Sequence, residues 1–137
     1  MIELINTAAQ AVAAGGTVLY NEFIKSGCAE YHRPGSGTVR LVKPGRYLVT
    51  FSGNIAANTT PEAVSVAITQ DGEPMLSTTM TVTPAAVGDL FNVSSQTYVD
   101  VPVCCGHTCC VDVSVENISA QGVTVANPNF TAVRVNG

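Results

Sequence analysis

The sequence predicts one all-β domain, a β-sandwich or jelly roll of nine or so short strands, on three observations. Turn-forming residues recur every eight to fifteen positions or so, too closely for helices of ordinary length. The segments between them are rich in Val, Thr, Ile, Tyr and Phe, whose branched or flat side chains pack on a pleated sheet. The length of 137 residues suits one core, since independent domains typically take about 100–150 residues. A closed or double-layered form also hides sheet edges, which a chain poor in lysine has little means to protect.

Taken in order, the turns fall at Gly15-Gly16, Arg33 to Gly37, Pro44-Gly45, Asn58 to Pro61, Asp71-Gly72, Pro84 to Asp89, Gly106-His107, Gln121-Gly122 and Asn127-Pro128. Residues 1–14 hold five alanines and neither Gly nor Pro, so a short N-terminal arm or a helix is expected there. The stretch from Thr38 to Ala56 reads as two strand runs around Lys43-Pro44-Gly45-Arg46. Tyr47, Val49 and Phe51 share one face of the second run, which is the expected central core strand. Val64, Val66 and Ile68 alternate with Ser65 and Thr69. Val111, Val113 and Val115 alternate with Asp112, Ser114 and Glu116, the pattern of a half-buried strand.

Composition narrows function. Hydrophobic residues make up 46% and charged residues 12%, against roughly 25% charged in an average soluble chain. Such a surface is thinly coated for a free monomer. No stretch reaches the ~18–20 apolar residues of a membrane span, so the apolar surplus is expected between subunits, without membrane insertion. Net charge is −4, and Lys25, Arg33, Arg40, Lys43, Arg46 and Arg134 are scattered, which speaks against nucleic acid as a partner. The first sixteen residues carry an acid and no Lys or Arg before a weak apolar stretch, unlike a secretory signal peptide. Export, if any, is expected through lysis or assembly. The sequons at Asn58, Asn92, Asn117 and Asn129 are therefore expected to be coincidental.

Four quoted runs and a hairpin carry a family resemblance: NTAAQAVAAGGTVLYN, GTVRLVKPGRYLVTFSGNIA, the hairpin VSVAITQDGEPM, VSVEN, and TVANPNFTAVRV. Together they resemble the tumour necrosis factor-like or complement-type trimeric jelly roll, in the bacterial and phage branch related to the head domains of collagen-like exosporium glycoproteins. The resemblance spans nearly the whole chain through strand rhythm and a Pro-Gly-X-Tyr turn. It implies a jelly-roll sandwich of about ten antiparallel strands, a compact homotrimer and a role in surface display or adhesion. Relatives on spores follow a Gly-X-Y stalk, and this sequence contains none.

Four of five cysteines crowd into Cys104-Cys105-Gly106-His107-Thr108-Cys109-Cys110. A Gly106-His107 loop suits a type II′ hairpin, in which Cys104 would face Cys109 at about 4.5 Å between Cα atoms, within reach of a disulfide. Cys105 and Cys110 would point to the other face. Thiolates with His107 are a soft ligand set suited to zinc, although vicinal cysteines point apart on a strand. Three readings stay open: a metal site at Cys104, Cys105, His107, Cys109 and Cys110, a Cys104–Cys109 disulfide, or reduced thiols packed as small hydrophobes. Cys28 stands alone in a Gly-flanked loop and would reach the cluster only through tertiary folding.

Catalytic signatures are sparse. His32, in Tyr31-His32-Arg33-Pro34, is expected on a surface loop as a solvated or turn-packing residue, and His107 has no acid beside it in sequence. Glu62, Asp71, Glu73 and Asp89 offer carboxylates for glycoside hydrolysis, but all lie at or beside turns. Gly35-Ser36-Gly37 lacks a phosphate-binding ending. The expectation is a non-enzymatic protein with no cofactor: a trimeric module on a virion surface, as capsid decoration or head-fibre knob. The alternative is a receptor- or glycan-binding adhesion module of a bacterial or spore surface, with the loops Asn54 to Glu62 and Met80 to Asp89 as contacts. The subunit interface is expected to include aromatic and aliphatic residues from strands near Tyr47, Phe91, Tyr98 and Phe130.

Overall fold

The structure, a computed structural model, describes residues 1–33, 35–103 and 110–136. These residues form twelve strands and one 3₁₀ turn, Leu76–Thr78: β1 (Ile2–Ile5), β2 (Gln10–Val12), β3 (Glu22–Lys25), β4 (Glu30–His32), β5 (Val39–Leu41), β6 (Gly45–Ala57), β7 (Val64–Gln70), β8 (Glu73–Pro74), β9 (Met80–Val82), β10 (Phe91–Val101), β11 (Val111–Asn117) and β12 (Val123–Asn136). Every pairing is antiparallel. The first sheet runs β10-β6-β12-β1-β3, with β2 also pairing β12. The second runs β4-β5-β11-β7-β8, with β9 also pairing β7. The all-β jelly-roll sandwich expected from the sequence is the architecture observed.

The alternation that marks the strands also fills the space between the sheets. From β6, Tyr47, Val49, Phe51 and Ile55 are fully buried. Val64, Val66 and Ile68 of β7 and Val111, Val113 and Val115 of β11 meet them from the opposite layer. Both partners of β6 are long, since β10 pairs with it from Phe91 to Val101 and β12 pairs along its other edge. The central core strand is therefore where the sequence placed it. The turn before it, Lys43 to Gly45, does not fold a hairpin: β5 belongs to the second sheet and β6 to the first. That turn carries the chain across the sandwich, and the Tyr47 hydroxyl secures it by donating to the Lys43 carbonyl at 2.7 Å.

Two turns constrain their residues, one through backbone angle and one through close approach. Asp71 and Gly72 lie at φ 52° and 84°, the positive pair that a two-residue hairpin between β7 and β8 requires. Gly37 is buried against the segment between β2 and β3, and a Cβ there would overlap the Val18 carbonyl oxygen and Thr17 Cγ2.

The structure departs from the sequence reading at both ends. Residues 1–14 form neither a helix nor a detached arm. β1 pairs β12 on one side and β3 on the other, and Ile2 and Leu4 are fully buried. Alanine content suggested a helix, but the apolar Ile2/Leu4 alternation suits a strand seated between β12 and β3 with one face on the core, and burial outweighs local propensity. Asn127-Pro128 is likewise not a turn. Asn127 takes φ 50°, and the β6–β12 register shifts between Ala126 and Asn129. A bulge there absorbs the proline that lacks a ladder N–H, and the strand continues beyond it.

Candidate interaction surface

The cysteine cluster lies largely outside the described residues. Cys104, Cys105, His107 and Cys109, with the Cys104–Cys109 disulfide and the metal site built on them, all fall there. Cys110 is half-buried just before β11, and Cys28 is exposed between β3 and β4; neither forms a disulfide among the described residues. The flanks are informative. The β10 flank, ending at Val101, belongs to the first sheet and the β11 flank, starting at Val111, to the second. They pair with β6 and with β5 and β7, so VDVPV and VDVSV are not two arms of one extended hairpin. Alternation marks strands but does not say which sheet each one joins.

His32 is not on a surface loop. It sits on β4, paired with Val39 of β5, and only 4% of it is exposed. The rings of Phe23 and Tyr20 meet it edge-on at 5.5 and 6.5 Å between centroids. Its Nδ1 lies 3.1 Å from the Thr38 carbonyl, while Nε2 is buried with no partner among the described residues. Glu30, two positions earlier on the same inward face, is fully buried, and its Oε2 accepts from the Met1 ammonium at 3.1 Å. The missed signal was the Glu30-Tyr31-His32 alternation, hidden because its inward residues are polar. Glu62, Asp71, Glu73 and Asp89 are all exposed at or beside turns, and no group of three metal-ligating side chains gathers among the described residues.

What the fold does present is a broad outer face on β10, β6 and β12. Tyr98 stands opposite Leu48, and Leu48 opposite Val133, giving one apolar row across three strands. The next row is Gln96, Thr50 and Thr131, and the one after it holds Ser94, Ser52 and Asn129. Charge enters at the margins: along the β1 side the Asn129 amide donates to Glu3 Oε2 at 2.9 Å. At one end Arg46 grips Asp100 through Nε–Oδ1 at 2.8 Å and Nη2–Oδ2 at 3.2 Å. The same guanidinium lies 5.3 Å from the centre of the Tyr98 ring, a cation–π distance. Its hydrogen bond holds the Asp100 carboxyl below the usual carboxylate range. Of the expected interface aromatics, Tyr98 and Phe91 are exposed, whereas Tyr47 and Phe130 are consumed by the monomer core.

A second surface forms at one end of the sandwich, where two of the expected contact loops meet. The Gly88 N–H donates to the Ala57 carbonyl at 3.1 Å. Gln121 organises the 58–63 loop, accepting at Oε1 from the Thr59 and Thr60 N–H groups at 2.9 and 3.1 Å and donating from Nε2 to the Thr60 carbonyl at 3.0 Å. Val87 and Leu90 are exposed in the neighbouring loop. No helix of the described residues is long and apolar enough to cross a membrane.

Neither protein-family models nor curated proteins match the sequence. Solved structures do match its shape. Murine APRIL superposes with a TM-score of 0.67 at 12% identity, covering 98% of this chain and 97% of that one. The globular domain of zebrafish complement 1qA gives 0.64 at 10% identity, over 97% and 96% of the two chains. Eiger TNF from S. frugiperda gives 0.64 at 11% identity, over 98% and 92%. At these identities the agreement concerns architecture, and it spans the whole chain: the protein has the jelly-roll fold of tumour necrosis factor-like and complement 1q globular domains.

Proposed function

We propose that this chain is a non-enzymatic homotrimeric jelly-roll module displayed on a particle surface, as phage capsid decoration or the knob of a head fibre. The observation that carries the reading is the outer face of β10, β6 and β12. It is wide and uncharged between its margins, and it centres on the Tyr98–Leu48–Val133 row. Interface centres are depleted of charge and enriched in Tyr, and a chain with 12% charged residues has little else to keep such a face soluble. Three copies meeting through this face would leave the second sheet and the loop ends outward for display. The fold shared with tumour necrosis factor-like domains supports the trimer, and the charge-poor composition supports the burial of that face between copies.

Two measurements test the reading. Light scattering of the purified protein is expected to give three times the chain mass, and a stable single-chain mass at micromolar concentration overturns the trimer. Electron microscopy of the source particle is expected to show the protein at high, symmetric copy number. A particle lacking such density removes the decoration role while leaving the trimer standing. The second reading, an adhesion module of a bacterial or spore surface that binds a receptor or glycan, is favoured by the paired loops at one end, with Val87 and Leu90 exposed beside the ordered 58–63 loop.

A further inference from the structure

On the outer face of the second sheet, Tyr31 of β4 lies opposite Arg40 of β5, and Arg40 opposite Asp112 of β11. This cross-strand row forms the floor of a cleft of about 360 Å³, walled by Arg33, Ser36 and Thr38 from the loop between β4 and β5. Two of the six basic residues of the chain thus line one hollow, on the sheet opposite the uncharged face.

The two arginines differ in state. Arg40 is held by Asp112 through Nε–Oδ1 at 2.9 Å and Nη2–Oδ2 at 3.2 Å. That pair is a fixed array with donors on one side and acceptors on the other. Arg33 makes no ion pair among the described residues, so its planar fork is available for an incoming anion. Its loop is shaped locally: the Arg33 carbonyl accepts from the Ser36 N–H at 3.1 Å and from the Ser36 hydroxyl at 2.8 Å. Beside it the ring of Tyr31 is 58% exposed, far more than a tyrosine needs in order to wet its hydroxyl alone.

We infer that this cleft binds a carboxylated pyranose, an acidic sugar of the uronate or sialate type. The exposed face of Tyr31 supplies a flat apolar platform for the C–H face of the ring. The free Arg33 guanidinium takes the carboxylate through two parallel N–H···O bonds. The Thr38 hydroxyl and the edges of the Arg40–Asp112 pair exchange hydrogen bonds with ring hydroxyls, Asp112 accepting and Arg40 donating. A phosphate would use the same arginine but has no use for the tyrosine platform or the acidic acceptor. The mouth is wide and the ligand small, so one site binds with a dissociation constant of about 1 mM. The site stands on a single chain. Only its multiplication to three, and the avidity that follows on a glycan-coated surface, rests on the trimer proposed above.

The test is an NMR titration of the purified protein with sodium glucuronate, N-acetylneuraminate and, as neutral control, glucose. Saturable binding of either acid, with glucose at least ten-fold weaker, is expected, and which acid binds better tells the uronate source from the sialate source. Arg33→Ala and Tyr31→Ala should each weaken the acid ten-fold or more while thermal unfolding stays unchanged, as suits exposed side chains. Arg33→Lys, which keeps the charge without the fork, should fall between. Raising the salt from about 0.05 to 0.5 M should weaken binding several-fold. Absence of saturable binding by both acids, equal binding of glucose, or full binding by Arg33→Ala overturns the inference. Light scattering on the same samples reports the trimer separately, so a silent cleft on an intact trimer leaves the display reading in place.

Discussion

Asn117 donates an N–H from its buried side-chain amide to the carbonyl of Val12, 3.1 Å away and 105 positions earlier in the chain. The same amide donates to the Gln121 carbonyl at 2.9 Å, and its oxygen accepts from the Ser119 N–H at 2.9 Å. One polar side chain at the end of β11 thus ties the N-terminal strand β2 to the loop that leads into β12. The main chain of Asn117 is fixed as well, exchanging hydrogen bonds with Gly15 and Gly16 at 2.8 and 2.9 Å.

Asn117→Leu keeps the volume but removes all three side-chain partners, leaving two carbonyls and one N–H to find replacements in a closed site. Each buried group left unpaired costs about 1–3 kcal/mol, and part of that is recovered by local rearrangement. The expected loss is about 3 kcal/mol, read from the denaturant midpoint at unchanged m-value. A loss below about 1 kcal/mol would mean that β2 does not depend on this amide.

Tyr20 packs its ring 5.9 Å from that of Phe130, yet its hydroxyl is buried without a partner among the described residues. Burial pushes the Tyr20 hydroxyl pKa well above the ordinary value. Tyr20→Phe keeps the ring and removes a desolvated polar atom, so it should raise stability by about 1 kcal/mol. The pH dependence has a definite sign. A raised folded-state pKa means that the folded protein holds its proton after the unfolded chain has released it. The contribution of Tyr20 is therefore complete below about pH 10, the unfolded value, and falls as pH rises from there toward the folded value. Unfolding curves of wild type and Tyr20→Phe should diverge further above pH 10, with wild type losing more.

Legibility in the sequence followed the chemistry of each face. Tyr47, Val49 and Phe51 announced the core strand because apolar and less apolar residues alternate along it, and all three are fully buried. Glu30 and His32 hold equally buried inward positions on β4, but their polarity made the strand look like a loop. Residues 2–5 were hidden by alanines farther along the same segment, and Asn127-Pro128 by the turn chemistry that a bulge shares. Sheet membership was the least visible property. β5 and β6 lie in different sheets, as do β10 and β11, and a local pattern describes strand faces without recording which distant strand completes the ladder. On the surface, Tyr31, Arg40 and Asp112 come together only through the β4–β5–β11 register, so no spacing along the chain foretold their cleft.

Tyr47 combines two roles that substitutions can separate. Its ring is fully buried between the sheets, and its hydroxyl donates to the Lys43 carbonyl at 2.7 Å. Tyr47→Ala should cost about 3–5 kcal/mol through the cavity it leaves. Tyr47→Phe should cost about 1 kcal/mol, the net worth of one hydrogen bond, and should loosen the turn that carries the chain between sheets. Hydrogen exchange is the discriminating measurement, with faster exchange expected around residues 42–46 in Tyr47→Phe than in wild type. Equal exchange would remove the hydroxyl from the account of that turn.

The proposed trimer face can be broken without touching the core. Thr50 lies mid-way along β6, between Gln96 of β10 and Thr131 of β12, on the side away from the buried Val49 and Phe51. Thr50→Arg leaves the inward residues in place, and surface changes of this kind usually alter a lone fold by less than about 0.5 kcal/mol. In a trimer it brings three guanidinium groups into a face whose adjoining carboxylate, Glu3 of β1, lies beyond Thr131 and is engaged by the Asn129 amide at 2.9 Å, and unpaired charge buried at an interface costs several kcal/mol. The expected result is a fall in light-scattering mass to one chain with the β-sheet circular dichroism retained. The melting temperature of wild type should rise with protein concentration, because association stabilises by mass action, and that of Thr50→Arg should not. A variant that still sediments as a trimer would place the subunit contact on another face of the sandwich.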